Sequence, residues 1–155
     1  MALLEKYLVI KKSTIPGAGK GLFTKKMIPK ATRIVEYKGR ITTWSKANHK
    51  EGLNAYIYYV NKNHVIDASL RKNELARYVN DAVGFKKINP HANNCKYVED
   101  NLRVFIESKR DIPANTELFV RYGKGYWDTI QENRIKSERK KKSLLRKPNT
   151  SKNTK

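Results

Sequence analysis

Short runs of apolar, β-branched and aromatic residues recur along the chain. Most of these runs are followed by Gly, Asn, Asp or Pro, which supply the backbone conformations of turns. This pattern predicts many short strands and hairpins rather than strands that alternate with long helices. The predicted strands cover residues 7–11, 33–37, 41–44, 56–60, 65–67, 95–98, 103–106 and 118–120, with hairpin turns at 61–63 and 100–101 and short helices at 73–79 and 126–134.

Two segments share a pattern built around an Ile-Pro pair. Residues 25–35 and 109–119 both read as a strand end, an Ile-Pro turn, a threonine and a new strand. Proline presets the backbone of the first turn residue, so each segment is expected to turn sharply and then re-enter a strand. Two copies are too few for a solenoid, and they favour a compact fold that is mainly β with short helices.

Two glycine-containing stretches mark places where the backbone turns tightly or closely approaches another group. Residues 13–21 form a predicted loop that ends in Gly-Ala-Gly-Lys-Gly, although an ordinary β-turn explains it as well. Later in the chain, the predicted strand at 118–120 runs into two glycines. Tyr122 and two further aromatic residues gather there over residues 122–127, either as a binding surface or as core packing.

The positive charge of the chain is concentrated towards its end. Of 155 residues, 34 are Lys or Arg and 14 are Asp or Glu, which gives a formal net charge of +20. Residues 134–155 hold ten basic residues and one acid, hence +9, with few apolar side chains. Such a segment buries too little apolar surface to fold. We therefore predict one domain over 1–133 and a disordered basic tail over 134–155, which either contacts nucleic acid or is simply solvated.

Cysteine and histidine usage argues against disulfides and metal sites. Cys95 is the sole cysteine, and the three histidines lack metal-ligand spacing. The sequence shows no signal-peptide core and no run of 18 apolar residues, so we expect a soluble intracellular protein without a membrane anchor. In a prokaryote it would be cytoplasmic, whereas in a eukaryote or a virus the basic tail is compatible with nuclear import.

Five stretches, in this order, resemble the SET domain of protein-lysine methyltransferases. Together the resemblance extends from about residue 8 to residue 127. Residues 17–23 resemble the glycine-rich cofactor loop, and residues 35–39 resemble the strand after it. Residues 65–68 and 75–80 resemble the segment that leads into an Asn-His-Ser-Cys-x-Pro-Asn signature, and residues 94–97 resemble the end of that signature. Residues 117–123 (Glu-Leu-Phe-Val-Arg-Tyr-Gly) resemble the closing Glu-Glu-Leu-x-x-Asp-Tyr-Gly.

The chain also departs from the pattern of that family. Asp81 stands where the family usually has histidine, Asn93 replaces proline, and Arg121 replaces an acid. An insertion of several residues separates Asn80 from Asn94, and the cysteine-rich flanks of many members are absent. The change at Asp81 affects an expected cofactor contact rather than the whole site.

The resemblance implies a β-clip of small curved sheets with a knot-like core, in which Asn80 and Asn94 lie against the closing strand, followed by a terminal helix and the basic tail. It also implies S-adenosylmethionine as cofactor and an aromatic channel for the substrate lysine, with Tyr122 as the catalytic residue. The residues implied to bind the cofactor are Ala18, Gly19, Lys20, Arg77, Tyr78, Asn80, Asp81 and Trp127, and those implied to line the channel are Tyr37, Tyr97 and Tyr122.

The implied reaction is methyl transfer to a lysine amine. An ordinary lysine has a pKa of about 10.4, so supplying the neutral amine at pH 7 costs about 4–5 kcal/mol. A dry channel lowers this cost because desolvation disfavours the ammonium form. No metal is needed. The expected function is therefore a protein-lysine methyltransferase acting on a basic protein, such as a histone-like, ribosomal or DNA-binding protein.

Two other functions stay open from the sequence. One is a non-catalytic SET-fold module associated with nucleic acid, for which Asp81 and Arg121 are the reason. The other is a plain small β protein with a charged surface. The target lysine, the number of methyl groups added and the oligomeric state are left open as well.

Overall fold

The computed structural model describes residues 3–47, 55–82, 93–122, 135–136 and 138–145. Within these residues the chain forms nine strands, arranged as three small antiparallel sheets, and two short 3-10 helices, Glu5–Tyr7 and Leu75–Tyr78. The strands are β1 Leu8–Lys12, β2 Lys20–Thr24, β3 Arg33–Glu36, β4 Arg40–Thr42, β5 Ile57–Asn61, β6 His64–Asp67, β7 Cys95–Asp100, β8 Arg103–Ser108 and β9 Thr116–Glu117.

The three sheets have the strand orders β1-β2-β9, β3-β8-β7 and β4-β6-β5. Both predicted hairpins are present, as β5–β6 and β7–β8. Asn101, at the turn of the second hairpin, has a φ of 57°, a left-handed conformation that asparagine tolerates better than most residues. The prediction of a mainly β fold with many short strands is confirmed.

The two Ile-Pro segments pair with each other. Ile28 and Ile112 exchange two backbone hydrogen bonds of 2.8 Å each, and both side chains are almost completely buried. Three residues beyond each isoleucine, Ala31 and Asn115 adopt φ values of 63° and 62°. The two turns therefore have matching backbone shapes, and their pairing joins the segments that lead into β3 and β9.

One apolar cluster joins the three sheets. Leu22 on β2, Ile66 on β6 and Ile106 on β8 belong to it, and each is at most 2 % exposed. Leu118, just beyond β9, is completely buried in the same cluster, so apolar burial helps to fix the end of the domain. Cys95 lies there too, and burial raises the pKa of its thiol to about 12, which makes it unreactive at neutral pH.

The closing strand differs from its prediction. β9 contains only Thr116–Glu117, and residues 118–120 do not continue its ladder. Phe119 instead forms an isolated parallel bridge with Asn80, and the N–H of Val120 donates to the carbonyl of Asn80 at 2.9 Å. The prediction of a regular strand over 118–120 is therefore wrong. This segment makes single hydrogen bonds to several parts of the chain, including Leu22 on β2 and Cys95 on β7, rather than a continuous ladder with one strand.

Lys20 and Gly21, the first two residues of β2, were predicted as the end of a loop, because glycine is typical of turns. In the structure this strand pairs with both β1 and β9. A Cβ atom at Gly21 would collide with the carboxylate of Glu117 and lie 3.4 Å from Nδ2 of Asn80. Gly21 is thus required for close packing inside a strand rather than for a turn.

The predicted helices and tail are only partly described. The 3-10 helix Leu75–Tyr78 occupies part of the helix predicted at 73–79. The helix predicted at 126–134 and the domain boundary at residue 133 lie outside the described residues. In the tail, residues 135–136 and 138–145 are helical and exposed. The disorder expected of the tail stays a prediction. No helix within the described parts of the chain is long and apolar enough to cross a bilayer.

Replacing Ile106 with alanine should lower the free energy of unfolding by about 2–5 kcal/mol, because its side chain is fully buried on the central strand of its sheet. Ile41→Ala is the matched control. It removes the same atoms from β4, where the side chain is 56 % exposed, and should change stability by about 0.5 kcal/mol or less. Urea unfolding measures both values, and equal losses would contradict the assignment of β8 to the core.

Candidate functional site

Two adjacent cavities contain most of the residues singled out from the sequence, and they share Tyr122 and Ala55. The glycine-loop cavity, of about 500 Å³, is lined by Ile15, Ala18, Gly19, Lys20, Ala55, Tyr56, Arg77, Tyr78, Asn80, Asp81 and Tyr122. The tyrosine cavity, of about 430 Å³, is lined by Tyr37, Ala55, Ile57, Tyr58, Tyr59, Tyr97, Arg121 and Tyr122.

The loop before β2 forms one wall of the glycine-loop cavity. Gly17 and Gly19 have φ values of 78° and 71°, which glycine adopts at little cost. The loop closes on itself, because the N–H of Ser13 donates to the carbonyl of Gly19 at 2.7 Å and the N–H of Ala18 donates to the carbonyl of Ile15 at 3.2 Å. Ala18 and Gly19 therefore line the cavity with little side-chain bulk, which lets a ligand approach the backbone.

The buried carboxylate of Glu117 ties this loop to the rest of the site. Its Oε1 accepts hydrogen bonds from Ser13 Oγ at 2.7 Å and from Asn80 Nδ2 at 3.3 Å. Its Oε2 accepts from the backbone N–H and the hydroxyl of Thr14, at 2.8 and 2.6 Å. Glu117 is 3 % exposed, so its charge needs these donors. One carboxylate thus holds two separate segments, residues 13–14 and residue 80, against the closing part of the chain.

Two asparagines hold irregular segments against the closing segment, residues 117–120. Asn80 Nδ2 also donates to the carbonyl of Lys20 at 3.0 Å. Asn94 donates from Nδ2 to the carbonyl of Glu117 and accepts at Oδ1 from the N–H of Phe119, both at 2.9 Å. The segments around residues 80 and 94 are therefore both bonded to the closing segment, as expected of a knot-like core.

Asp81 and Asn93, two departures from the family pattern, bond to each other. Asn93 Nδ2 donates to Asp81 Oδ1 at 3.0 Å, and the N–H of Ala82 donates to Asn93 Oδ1 at 2.8 Å. Asp81 Oδ2 accepts from the backbone N–H of Tyr122 at 3.0 Å. Each of the two side chains is 7 % exposed. The pair therefore positions the backbone of Tyr122, and the changes compensate each other.

Tyr122 lies at the junction of the two cavities. Its hydroxyl donates to the carbonyl of Val79 at 2.5 Å, and its N–H is held by Asp81. With its proton committed in this way, the hydroxyl oxygen keeps lone pairs that accept hydrogen bonds. A ligand in either cavity would contact this residue.

Three tyrosine rings form the wall of the tyrosine cavity. The ring centroids of Tyr58 and Tyr97 are 5.1 Å apart, and Tyr37 lies 6.0 Å from Tyr97 and 6.1 Å from Tyr58. The Tyr37 hydroxyl donates to the carbonyl of Tyr56 at 2.8 Å, and that of Tyr58 donates to Glu99 Oε1 at 3.0 Å. Burial raises the pKa of all three phenols above its usual value, so they stay neutral at physiological pH.

Arg77 brings a positive charge to the glycine-loop cavity. Its guanidinium lies 4.2 Å from the ring centroid of Tyr56 and 5.3 Å from that of Tyr78. The buried Nε and Nη1 atoms have no hydrogen-bond partner among the described residues. Buried N–H groups are normally paired, so these atoms suit an anionic ligand. The hydroxyl of Tyr78 donates to the carbonyl of Lys72 at 2.7 Å, and its ring is the part that lines the cavity.

The structure brings together most residues of the predicted site. The tyrosines implied for the lysine channel all line the tyrosine cavity. Trp127, implied to contact the cofactor, lies outside the described residues. The roles of these residues stay predictions. Those that line the glycine-loop cavity as implied are Ala18, Gly19, Lys20, Arg77, Tyr78, Asn80 and Asp81, and those that line the tyrosine cavity are Tyr37, Tyr97 and Tyr122.

Several lining residues were missed from the sequence. Tyr56, Tyr58 and Tyr59 lie on or beside β5, where three tyrosines within four residues were interpreted only as a hairpin strand. Their density is the feature that indicates a site. No local feature of the sequence indicates the role of Glu117, because its side-chain partners lie 37 to 104 residues away.

Comparison with known proteins identifies the family of this chain. The SET domain family matches residues 19–123. Histone-lysine N-methyltransferase 2D from Homo sapiens and its counterpart from Mus musculus are each 32 % identical to this chain over 114 residues, which cover 67 % of the chain. The chain belongs to the SET domain family, and the prediction of a SET-type fold is confirmed. The aligned part spans only 2 % of the length of either relative.

Replacing Glu117 with glutamine should lower the free energy of unfolding by about 1–3 kcal/mol, because an NH₂ group would face hydrogen-bond donors in a buried site. Glu107→Gln is the control, since the Glu107 carboxylate makes a 3.8 Å ion pair with Lys96. This substitution should change the free energy of unfolding by about 0.5 kcal/mol or less. Denaturant midpoints report both changes. If Glu117→Gln were as stable as the control, the carboxylate would not hold the site together.

Proposed function

We propose that this chain is a protein-lysine N-methyltransferase that uses S-adenosylmethionine. The observation that carries the proposal is the meeting of two cavities at Tyr122. Methyl transfer requires donor and acceptor in line on opposite sides of one point. A methyl donor in the glycine-loop cavity and a lysine in the tyrosine cavity would meet there. The similarity to a histone-lysine methyltransferase supports this assignment.

The residues of the glycine-loop cavity fit this cofactor. Nε and Nη1 of Arg77 have no hydrogen-bond partner among the described residues, and they suit the carboxylate of its methionine part, since charge-assisted hydrogen bonds are stronger than neutral ones. The backbone of residues 18–20 would hold the same end. Asn80 and Asp81 line this cavity and would lie near the adenine. When bound, the cofactor supplies a sulfonium methyl group as the electrophile.

The tyrosine cavity would favour the neutral form of the substrate amine. Its tyrosine walls are neutral, and removal of water disfavours the ammonium form. Arg121 lines the same cavity and adds repulsion between like charges. The ammonium proton goes to solvent before transfer. The neutral lysine nitrogen would then accept the methyl group that the bound cofactor supplies.

Tyr122 would align the reacting groups. Because its hydroxyl donates to Val79 and its backbone is held by Asp81, the oxygen is fixed at the junction. The lone pairs of that oxygen would accept weak contacts from the methyl group or a hydrogen bond from the amine. Fixing both partners in line contributes several kcal/mol to lowering a barrier of this kind.

We include in the proposal a basic protein as substrate, such as a histone-like, ribosomal or DNA-binding protein. A substrate that is bound to nucleic acid suits a chain with a net charge of +20, since the basic tail would hold the complex. The alternative of a non-catalytic module loses one of its reasons, because Asp81 has a positioning role in this fold.

The full chain, incubated with labelled S-adenosylmethionine and an extract of basic proteins, should methylate lysines that mass spectrometry identifies. Tyr122→Phe should lower the rate about 100-fold, because the fixed hydroxyl is lost, and should leave the protein folded, with a lower melting temperature because the carbonyl of Val79 loses its donor. Tyr7→Phe is the control, since this ring contacts Lys6 and Lys26 and lines neither cavity. A native chain that neither methylates the extract nor is stabilised by the cofactor would contradict the proposal.

Arg77→Gln should weaken cofactor binding by about tenfold to a hundredfold, because a charge-assisted hydrogen bond is lost. The stabilisation that a given cofactor concentration produces should fall accordingly. Arg71→Gln changes an exposed arginine that lines neither cavity and should leave the shift unaltered. Thermal unfolding with and without the cofactor measures this shift for both variants. Equal shifts would exclude Arg77 from the cofactor site.

A further inference from the structure

Arg121 is the one charged side chain among the described residues that line the tyrosine cavity; the others are tyrosine, alanine and isoleucine. It is exposed, and it forms no ion pair with another described residue. Its position next to Tyr122 in the chain keeps it beside the junction. A substrate that enters this cavity therefore meets a fixed positive charge.

Two carboxylates contact the walls of this cavity without lining it. Glu99 accepts a hydrogen bond from the hydroxyl of Tyr58, and Asp81 accepts from Asn93 and from the backbone of Tyr122. Both acids are engaged in holding the walls. Among the described residues, Arg121 therefore provides the charge inside the cavity that a bound peptide would contact.

We propose that Arg121 makes the enzyme select lysines that have an acidic residue beside them in the substrate chain. This inference rests on the proposed function. A carboxylate beside the target lysine would form a charge-assisted, two-point hydrogen bond with the guanidinium. A flanking lysine or arginine would instead add repulsion at the cavity. Proteins that are basic overall still contain such lysines, so the preference selects among the lysines of one substrate.

The size of the effect follows from the exposure of Arg121. Exposed ion pairs are weak because water and salt screen them. A peptide with an acidic residue beside the lysine is attracted by Arg121, and one with a basic residue there is repelled. The kcat/KM values of two such peptides should therefore differ by roughly 3- to 10-fold. The difference should shrink as salt is added, whereas a preference based on shape would not.

The test uses the full chain and peptides of one length, in which a central lysine is flanked on both sides by Glu, Gln or Lys in an otherwise uncharged sequence. The cofactor is saturating, and mass spectrometry gives kcat/KM for each peptide. We expect the order Glu, then Gln, then Lys. Arg121→Gln should remove the preference, and Arg121→Glu should reverse it. Arg71→Glu makes the same change in net charge away from both cavities and should keep the native order.

The outcomes separate the inference from the function on which it rests. Methylation without any preference, or with a preference that survives Arg121→Glu, would overturn the role of Arg121 and leave the methyltransferase proposal in place. Absence of methylation of every peptide and of the basic-protein extract would overturn the proposed function. A cofactor-induced thermal shift equal to that of the native chain establishes that each Arg121 variant is folded.

Discussion

The carboxylate of Glu117 is the buried charge around which the glycine-loop cavity is built. At 3 % exposure it has almost no contact with water, and an unpaired charge in that position costs several kcal/mol. Its donors come from the loop before β2 and from Asn80, so the charge is satisfied only when these segments lie together. The same close packing explains why residue 21 is glycine. Burial of one charge thus determines the shape of the cavity wall.

Only four residues separate Glu117 from Tyr122. The backbone that is fixed at Glu117 therefore also fixes where Tyr122 lies at the junction of the cavities. Residues 118–120 are held by buried side chains and by hydrogen bonds to the segments around residues 80 and 94. Asp81 then holds the N–H of Tyr122, and Val79 holds its hydroxyl. The departures at Asp81 and Asn93 keep this support intact, because the two side chains bond to each other.

Local patterns in the sequence were enough for the hairpins and for the fold class, because turn residues and β-branched runs act over a few positions. The assignment of Gly21 to a loop and the strand predicted at 118–120 were wrong, since Gly21 and Phe119 take their conformations from partners far along the chain. For the site, the resemblance indicated Arg77 and the glycine loop. It gave no role to Glu117, whose function depends wholly on contacts between distant segments.

The connection between Ser13 and Glu117 spans 104 residues, and this has a consequence for how the molecule folds. Contacts between such distant segments form slowly, because a long loop must close before any bond stabilises it. During synthesis, the chain that has emerged up to residue 115 contains the glycine loop and most of the tyrosines but lacks both Glu117 and Tyr122. At that stage both cavities lack Tyr122, which lines each of them. Assembly of the site is therefore a late event of folding, coupled to docking of the last segment of the sheet structure.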